Sequence, residues 1–416
     1  MNSIKLSKDF FYQILFAVSI GVTYFNIYEL TFLVWLTCII LTIKKEYSIT
    51  ILNIIVPYFL ILVISGFSSL FFENHFYEII RDITYMLKPI IGLVLGYQLC
   101  RTQNMRLIRT VIYIGLLISL THLILIFYNI LIHKIINIHE LRKHTGYFSD
   151  FEVNAFILAL FHKKFNIVFS KKVYYTILII IGTSSFLYLS RANFIQGIIL
   201  FLALKGFFNN VKKTILILMT FFMSIAIGYS IIYNMNLSRN GKGLEALLYK
   251  IKNAPLEAFK TKVDKDDWED FNDNYRAYEN IITVKQVSNH GFFAVIFGTG
   301  LGSKINLGQK LYTNDGTVLT KISILHNAFM TVFLKSGLMG VGLLIYSLVL
   351  IIKQNKAEDE HSRNLRLFIL ALGTYLFLDN WVLLGLYLKT ESKSIILGML
   401  LCLFEYNQKS IKKCYE

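Results

Sequence analysis

Apolar residues fill most of this chain in runs of about 15 to 20 residues, separated by short basic turns, and one long polar stretch interrupts them. A hydrocarbon core about 30 Å thick takes about 20 residues of helix to cross, so these runs read as membrane-spanning helices. They fall near 9–25, 27–43, 49–71, 79–99, 107–131, 148–161, 173–189, 193–208, 214–233, 336–352, 365–380 and 393–405, twelve in all. The sixth and eighth are short and fit only as tilted, paired or re-entrant segments. The pattern predicts an all-α polytopic membrane protein. Nine helices occupy 1–233, one large outer loop occupies 234–325, and three further helices occupy 326–416.

Composition agrees, at 55% hydrophobic and 15% aromatic residues in 416, which excludes a water-soluble core. The net charge of +16 changes the picture less than it first implies. Its lysines and arginines cluster in short turns: Lys44 and Lys45; Arg101, Arg106 and Arg109; Lys163, Lys164, Lys171 and Lys172; Lys205, Lys212 and Lys213; Lys353 and Arg363; Lys412 and Lys413. With both termini inside, every cluster lands on the cytoplasmic face, so the charge records topology rather than nucleic-acid binding. Segments 72–78, 132–147, 190–192, 234–325 and 381–392 then face outward.

Lys5 and Lys8 precede the first apolar run as in a signal peptide, but no small-x-small cleavage site follows, so it reads as a retained span. Cys38, Cys100, Cys402 and Cys414 all lie outside the loop, which leaves no disulfide framework, metal-ligand spacing or thiol nucleophile there. No internal repeat is visible, which disfavours a transporter built from two related halves. Pro57 and Pro89 fall inside spans. Lys88, beside Pro89, reads either as a contact to an anionic headgroup or as a snorkelling side chain.

The outer loop holds most of the candidate chemistry. Gly243 to Phe259 carries Leu244, Leu247, Leu248, Ile251 and Leu256 at helical spacing and fits a surface-lying helix. The acidic run Lys262 to Tyr275 lacks cation-loop spacing, so a solvated face is its simpler account. A helix is expected from about Asn274, with Arg276, Asn280 and Thr283 on one face. Arg276 offers forked phosphate recognition from a rigid element. In Gly298-Thr299-Gly300-Leu301-Gly302, Gly298 and Gly300 would let backbone N–H groups approach a phosphate, although a tight turn needs the same glycines.

Arg191 sits at an outward tip, against the positive-inside trend, and invites an anionic partner at headgroup depth. Arg142, with Lys134, Lys143 and His144, adds basic character to 132–147. His326 opens the apolar stretch after the loop, with Asn327 beside it. Imidazoles as a class titrate near neutrality, so a histidine here can take a proton from a hydroxyl nucleophile. Trp268, Tyr275 and Tyr278 could stack on sugar faces or pack against the membrane surface.

Ser190-Arg191, Arg276, the Gly298 to Gly302 turn and His326-Asn327-x9-Gly337-x-x-Gly340 together resemble the superfamily of bacterial O-antigen ligases and Wzy-type O-antigen polymerases, over roughly 140–350. The resemblance implies glycan transfer from undecaprenyl diphosphate to an acceptor hydroxyl, without metal, nucleotide sugar or other cofactor, at the periplasmic face of the inner membrane. It implies inversion at the sugar carbon, His326 as the catalytic base, and Arg191, Arg276, Asn327, Gly298, Gly300 and Arg142 around the diphosphate. The implied partners are the lipid-linked glycan, membrane lipids, a chain-length regulator and a flippase.

A polymerase adds the glycan to another lipid-linked unit, and a ligase adds it to lipid A core. The Gly-rich turn and long Tyr-rich loop look more like the polymerases. The arginine spacings of polymerase loops are not met, since Arg276 reaches Gly291 after fourteen residues and Arg142 reaches Gly146 after three. Glu29 is the only acid near the first outer turn, where metal-dependent membrane glycosyltransferases place theirs. A flippase is the rival from another class. It would line its spans with polar residues, and Lys88 is the main one visible.

Overall fold

A computed structural model describes residues 8–44, 46–100, 106–209, 219–220, 223, 226–238, 245, 248–249, 251–253, 260–312, 318–355, 357 and 359–415. Its helices are α1 (Lys8–Gly21), α2 (Tyr28–Thr42), α3 (Ile49–Ser68), α4 (Phe76–Leu99), α5 (Arg106–Leu131), α6 (Ile138–Thr145), α7 (Asp150–Leu160), α8 (Lys171–Leu187) and α9 (Arg191–Leu204). The loop contributes α10 (Trp268–Asp273), α11 (Tyr275–Asn289) and α12 (Phe292–Phe297), then strands β1 (Ile305–Tyr312) and β2 (Val318–Ile322). The chain ends with α13 (Ala328–Ile352), α14 (Glu360–Val382) and α15 (Lys393–Tyr415). The surface helix expected at 243–259 lies largely outside the described residues, as do 214–218, 221–222 and 224–225 of the predicted ninth span.

Among the described residues, four helices are long and apolar enough to cross a membrane: α3, Leu107–Leu131 of α5, α13 and α14. In α3 an inward stripe of Ile51, Ile54, Tyr58, Ile61 and Ser65 is buried, while Leu52, Val56, Phe59, Val63 and Phe67 are exposed. A helix apolar on both faces belongs in lipid. Three of the other predicted spans are shorter apolar helices, Asp9–Phe25, Tyr28–Thr42 and Arg191–Leu204. At 11 residues, α7 rises only about 16 Å and does not cross alone, the shortness expected of the sixth span.

The interior holds far more charge than Lys88 alone. Asp82, Asp150, Glu152, Lys335, Asp379, Glu391 and Lys393 are all buried. Most are partnered: Lys393 bridges Asp150 at 2.6 Å and Asp379 at 2.5 Å, and Glu152 accepts from Ser119, Ser184 and Tyr188. Lys88 does not extend to the protein surface. It is buried and donates to the carbonyls of Leu388 and Lys389. Burial of this kind demands a partner for each charge, and that is what periodicity could not reveal.

The loop is not a separate unit. Its own apolar cluster, including Phe271, Tyr278, Val287, Ile305 and Leu307, continues into Phe333 and Leu334 of α13. The antiparallel hairpin β1–β2 pairs Ile305 with Ile322 and Tyr312 with Val318, with a register shift between Asn306 and Leu311. This hairpin is a departure from the all-α expectation.

The loop is fixed to the helices where α12 ends. Gly337 breaks the helical geometry of α13 at φ 63°, and a Cβ there would stand 2.3 Å from the Ile296 backbone. Gly298 reciprocates at φ 78°, its Cβ position 2.4 Å from the Lys335 carbonyl carbon. Beside this crossing Lys335, 1% exposed, pairs with Asp82 at 2.6 Å and donates to the Ser303 carbonyl, while Asp82 also accepts from the Gly302 N–H at 2.8 Å. Removing one partner of a buried pair costs about 3–5 kcal/mol. Lys335→Met is therefore expected to lower the melting temperature of the detergent-purified protein, and adding Asp82→Asn to recover part of the loss. Equal melting of single variant and wild type would exclude the pair as an anchor.

Candidate active site

Segments expected on one side of the membrane meet at one end of the helices. Asn74 donates to the Thr299 carbonyl, Arg142 lies within electrostatic range of Arg191, and the Ala328 N–H donates to the Leu383 carbonyl at 3.0 Å. At the opposite end Lys44 donates to the carbonyls of Tyr97 and Cys100, and Lys164 to that of Leu204, so basic turns cap helix C-termini there.

α11 begins after Asn274, as expected. It buries Glu279, Thr283 and Val287 along one stripe, which leaves Arg276 and Asn280, four apart, on the adjoining face. Arg191 is the first residue of α9, where the helix N-terminus adds partial positive charge. His326 immediately precedes α13, which Asn327 caps by accepting from the Met330 N–H at 3.2 Å.

These placements bring Arg191, Arg276 and His326 to one cavity of about 240 Å³, shared with Tyr275 and Asp273. A second cavity, of about 210 Å³, also has both arginines in its wall, with Asn280, Tyr375, Asp379 and Trp381 and the apolar side chains of Ile195, Leu378 and Val382. The arginines thus stand between a polar chamber holding the histidine and a largely apolar one bounded by α9 and α14.

Glu279 organises His326. Its carboxylate, 1% exposed, lies 3.0 Å from the imidazole Nδ1 through both oxygens and accepts the His326 backbone N–H at 3.0 Å. A carboxylate accepts and cannot donate, so this network assigns the proton to Nδ1 and leaves the Nε2 lone pair for a partner in the cavity. Tyr275 packs edge-on against the imidazole, ring centroids 5.7 Å apart. Burial pushes the Tyr275 phenol well above its ordinary value, and the charge of Glu279 and a hydrogen bond to it push further.

Other expected site residues land differently. Arg142 donates to the Tyr147 carbonyl at 3.0 Å and stacks over that ring, outside both cavities. Burial lowers its guanidinium from the ordinary value, with Arg191's like charge acting the same way. Asn327 is 3% exposed and serves as the helix cap.

The glycine turn is corrected more firmly. Its Gly298, Thr299, Gly300, Leu301 and Gly302 N–H groups bond to Ala294, Leu334, Lys335, Ser65 and Asp82, so none is left for a phosphate. Gly298 and Gly300 are required for close packing, the latter against Ser69. In the acidic run, Asp267 caps α10 and Asp270 braces Lys260, the Asp264 N–H and Asn274. No group of three His, Cys, Asp or Glu able to hold a metal occurs among the described residues.

Sequence reasoning missed Glu279 and Asp379. Glu279 follows Arg276 by three positions on the same helix, which was a usable signal. Asp379 interrupts an apolar run, but its partner Lys393 lies beyond the intervening turn and only folding joins them. No protein-family model matches the chain, and no curated protein matches it. An alkaline titration checks the buried phenol: Tyr275→Phe should leave the absorbance change through about pH 10 unaltered, since that group stays protonated there. A smaller change in the variant would place Tyr275 among the ordinary tyrosines.

Proposed function

We propose that this protein is a polytopic enzyme of the bacterial inner membrane that polymerises undecaprenyl-diphosphate-linked oligosaccharide units at the periplasmic face. The observation that carries the reading is the convergence of Arg191, Arg276 and a carboxylate-paired His326 on one cavity, from three segments far apart in the chain. The resemblance of the His326-Asn327 motif supplies the substrate class.

In this reading His326 Nε2 takes the proton of an acceptor hydroxyl, whose oxygen bonds to the anomeric carbon of the donor. The bond from that carbon to the diphosphate breaks on the opposite face, and its electron pair leaves with the diphosphate. Arg191 and Arg276 neutralise the growing charge, and Glu279 steadies the imidazolium. The apolar wall of Ile195, Leu378 and Val382 suits a polyprenyl chain entering from lipid. The closed pairing of most buried charges in the helices supports transfer over translocation, because a flippase needs an open polar route.

The second reading, ligation to lipid A core, is favoured by the arginine spacings that depart from polymerase loops. Surface-polysaccharide gels of a deletion strain decide between them. Core plus a single repeat unit marks a polymerase, bare core with accumulated lipid-linked polymer marks a ligase, and bare core without it marks a flippase.

Complementation with His326→Ala should reproduce the deletion pattern, with turnover falling about 10²–10⁴-fold, and Arg191→Ala or Arg276→Ala about 10²–10³-fold. Normal polymer from His326→Ala would sink the transfer mechanism. Glu279→Gln should lower turnover about 10-fold or more without loss of expression, and Glu279→Asp should recover part of it. Equal rates for glutamine and glutamate would remove the carboxylate from the mechanism.

A further inference from the structure

A larger cavity, of about 470 Å³, opens on the same end of the molecule as the arginines and histidine but shares no residue with their chambers. Five segments build it: the turn before α4 with Phe72, Asn74 and His75; the end of α11 with Gln286 and its cap His290; the turn Thr299 to Lys304; the hairpin with Lys321; and Leu334 of α13. It is preformed. Gln286 is locked to the Asn306 backbone in both directions, at 2.6 and 2.9 Å, and Asn74 donates to the Thr299 carbonyl at 3.1 Å.

We propose that this cavity is an oligosaccharide subsite that holds the acceptor glycan away from the point of transfer. The claim rests on the glycan-transfer reading for its substrate class. The chemistry of the walls favours a saccharide over an anion. Lys304, the other lysine at the cavity, pairs at 2.6 Å with Glu78, which Arg81 shares, and Glu73 adds a negative charge beside Lys321, so the positive field offered to a phosphate is diluted.

What remains is the imidazoles of His75 and His290 with Lys321, the second N–H of the Gln286 amide and the Asn74 amide oxygen, beside an aromatic ring. Phe72 meets the His290 ring edge-on at 5.5 Å, so the aromatic is already oriented. Sugar hydroxyls demand such mixed donors and acceptors, and the apolar faces of sugars pack on rings. Position agrees. Gln286 follows Glu279 by seven residues on α11, a rise of about 10 Å along the helix. A short oligosaccharide spans that distance, so one chain can lie in the cavity while its terminal sugar reaches His326.

The test uses oligosaccharides released by partial acid hydrolysis of the host strain's own surface polysaccharide, with binding read by saturation-transfer NMR on the detergent-purified full chain. His75, His290 and Lys321 are exposed, so the triple variant His75→Ala/His290→Ala/Lys321→Ala should melt as wild type does. It should bind the oligosaccharides at least about 10-fold more weakly and, in cells, build shorter chains, with His290→Ala alone intermediate. His326→Ala should bind as wild type. Equal binding by the triple variant, or no binding by wild type, overturns the subsite. Normal polymer from His326→Ala strikes the transfer mechanism instead, and the binding comparison then still decides the cavity.

Discussion

The buried pair of Lys335 and Asp82 is the constraint on which the loop end of the molecule depends. Each ion is almost wholly removed from water, so neither is tolerable without the other. Asp82 reaches the Gly302 amide and Lys335 the Ser303 carbonyl, which makes the pair a clamp on the glycine turn. The turn orders α12 on one side and the hairpin on the other. Through α13 it also fixes the segment that carries His326. A loop that hydropathy separates from the membrane is thereby an extension of the membrane helices.

The site divides labour by element. α9 supplies one arginine at its first residue, and α11 supplies the other together with the carboxylate that orients the histidine. The chain preceding α13 supplies the histidine itself. Because these groups sit at helix ends and on one rigid helix, their separation is set by packing rather than by loop conformation. Asp379, which shares Lys393 with Asp150, lines the apolar chamber together with both arginines.

Much of this was legible in the chain. Hydropathy located the long apolar helices and the α11 start was readable at Asn274; Arg191 stood out by breaking the positive-inside trend, Arg276 as a forked cation on an expected helix, and His326 as an imidazole where the loop meets the apolar run. What was not legible depends on contacts between distant segments. Glu279 became meaningful only when its partner 47 residues later was placed beside it. Asp150, Glu152 and Lys335 were hidden because short windows average a buried ion into its apolar neighbours. The glycine turn misled for a related reason: conformational freedom looks the same in a sequence whether the close neighbour is a phosphate or another backbone.

Residue order along the chain has a consequence for biogenesis. Both arginines and the histidine are synthesised before α14, yet Tyr375, Asp379 and Trp381 close one wall of the arginine chamber, and the cation that holds Asp379 belongs to α15. Contacts of such long sequence separation form late. A nascent chain halted before α14 therefore carries both arginines and the histidine without the wall that encloses them, and the chamber is complete only once the last helix has been placed.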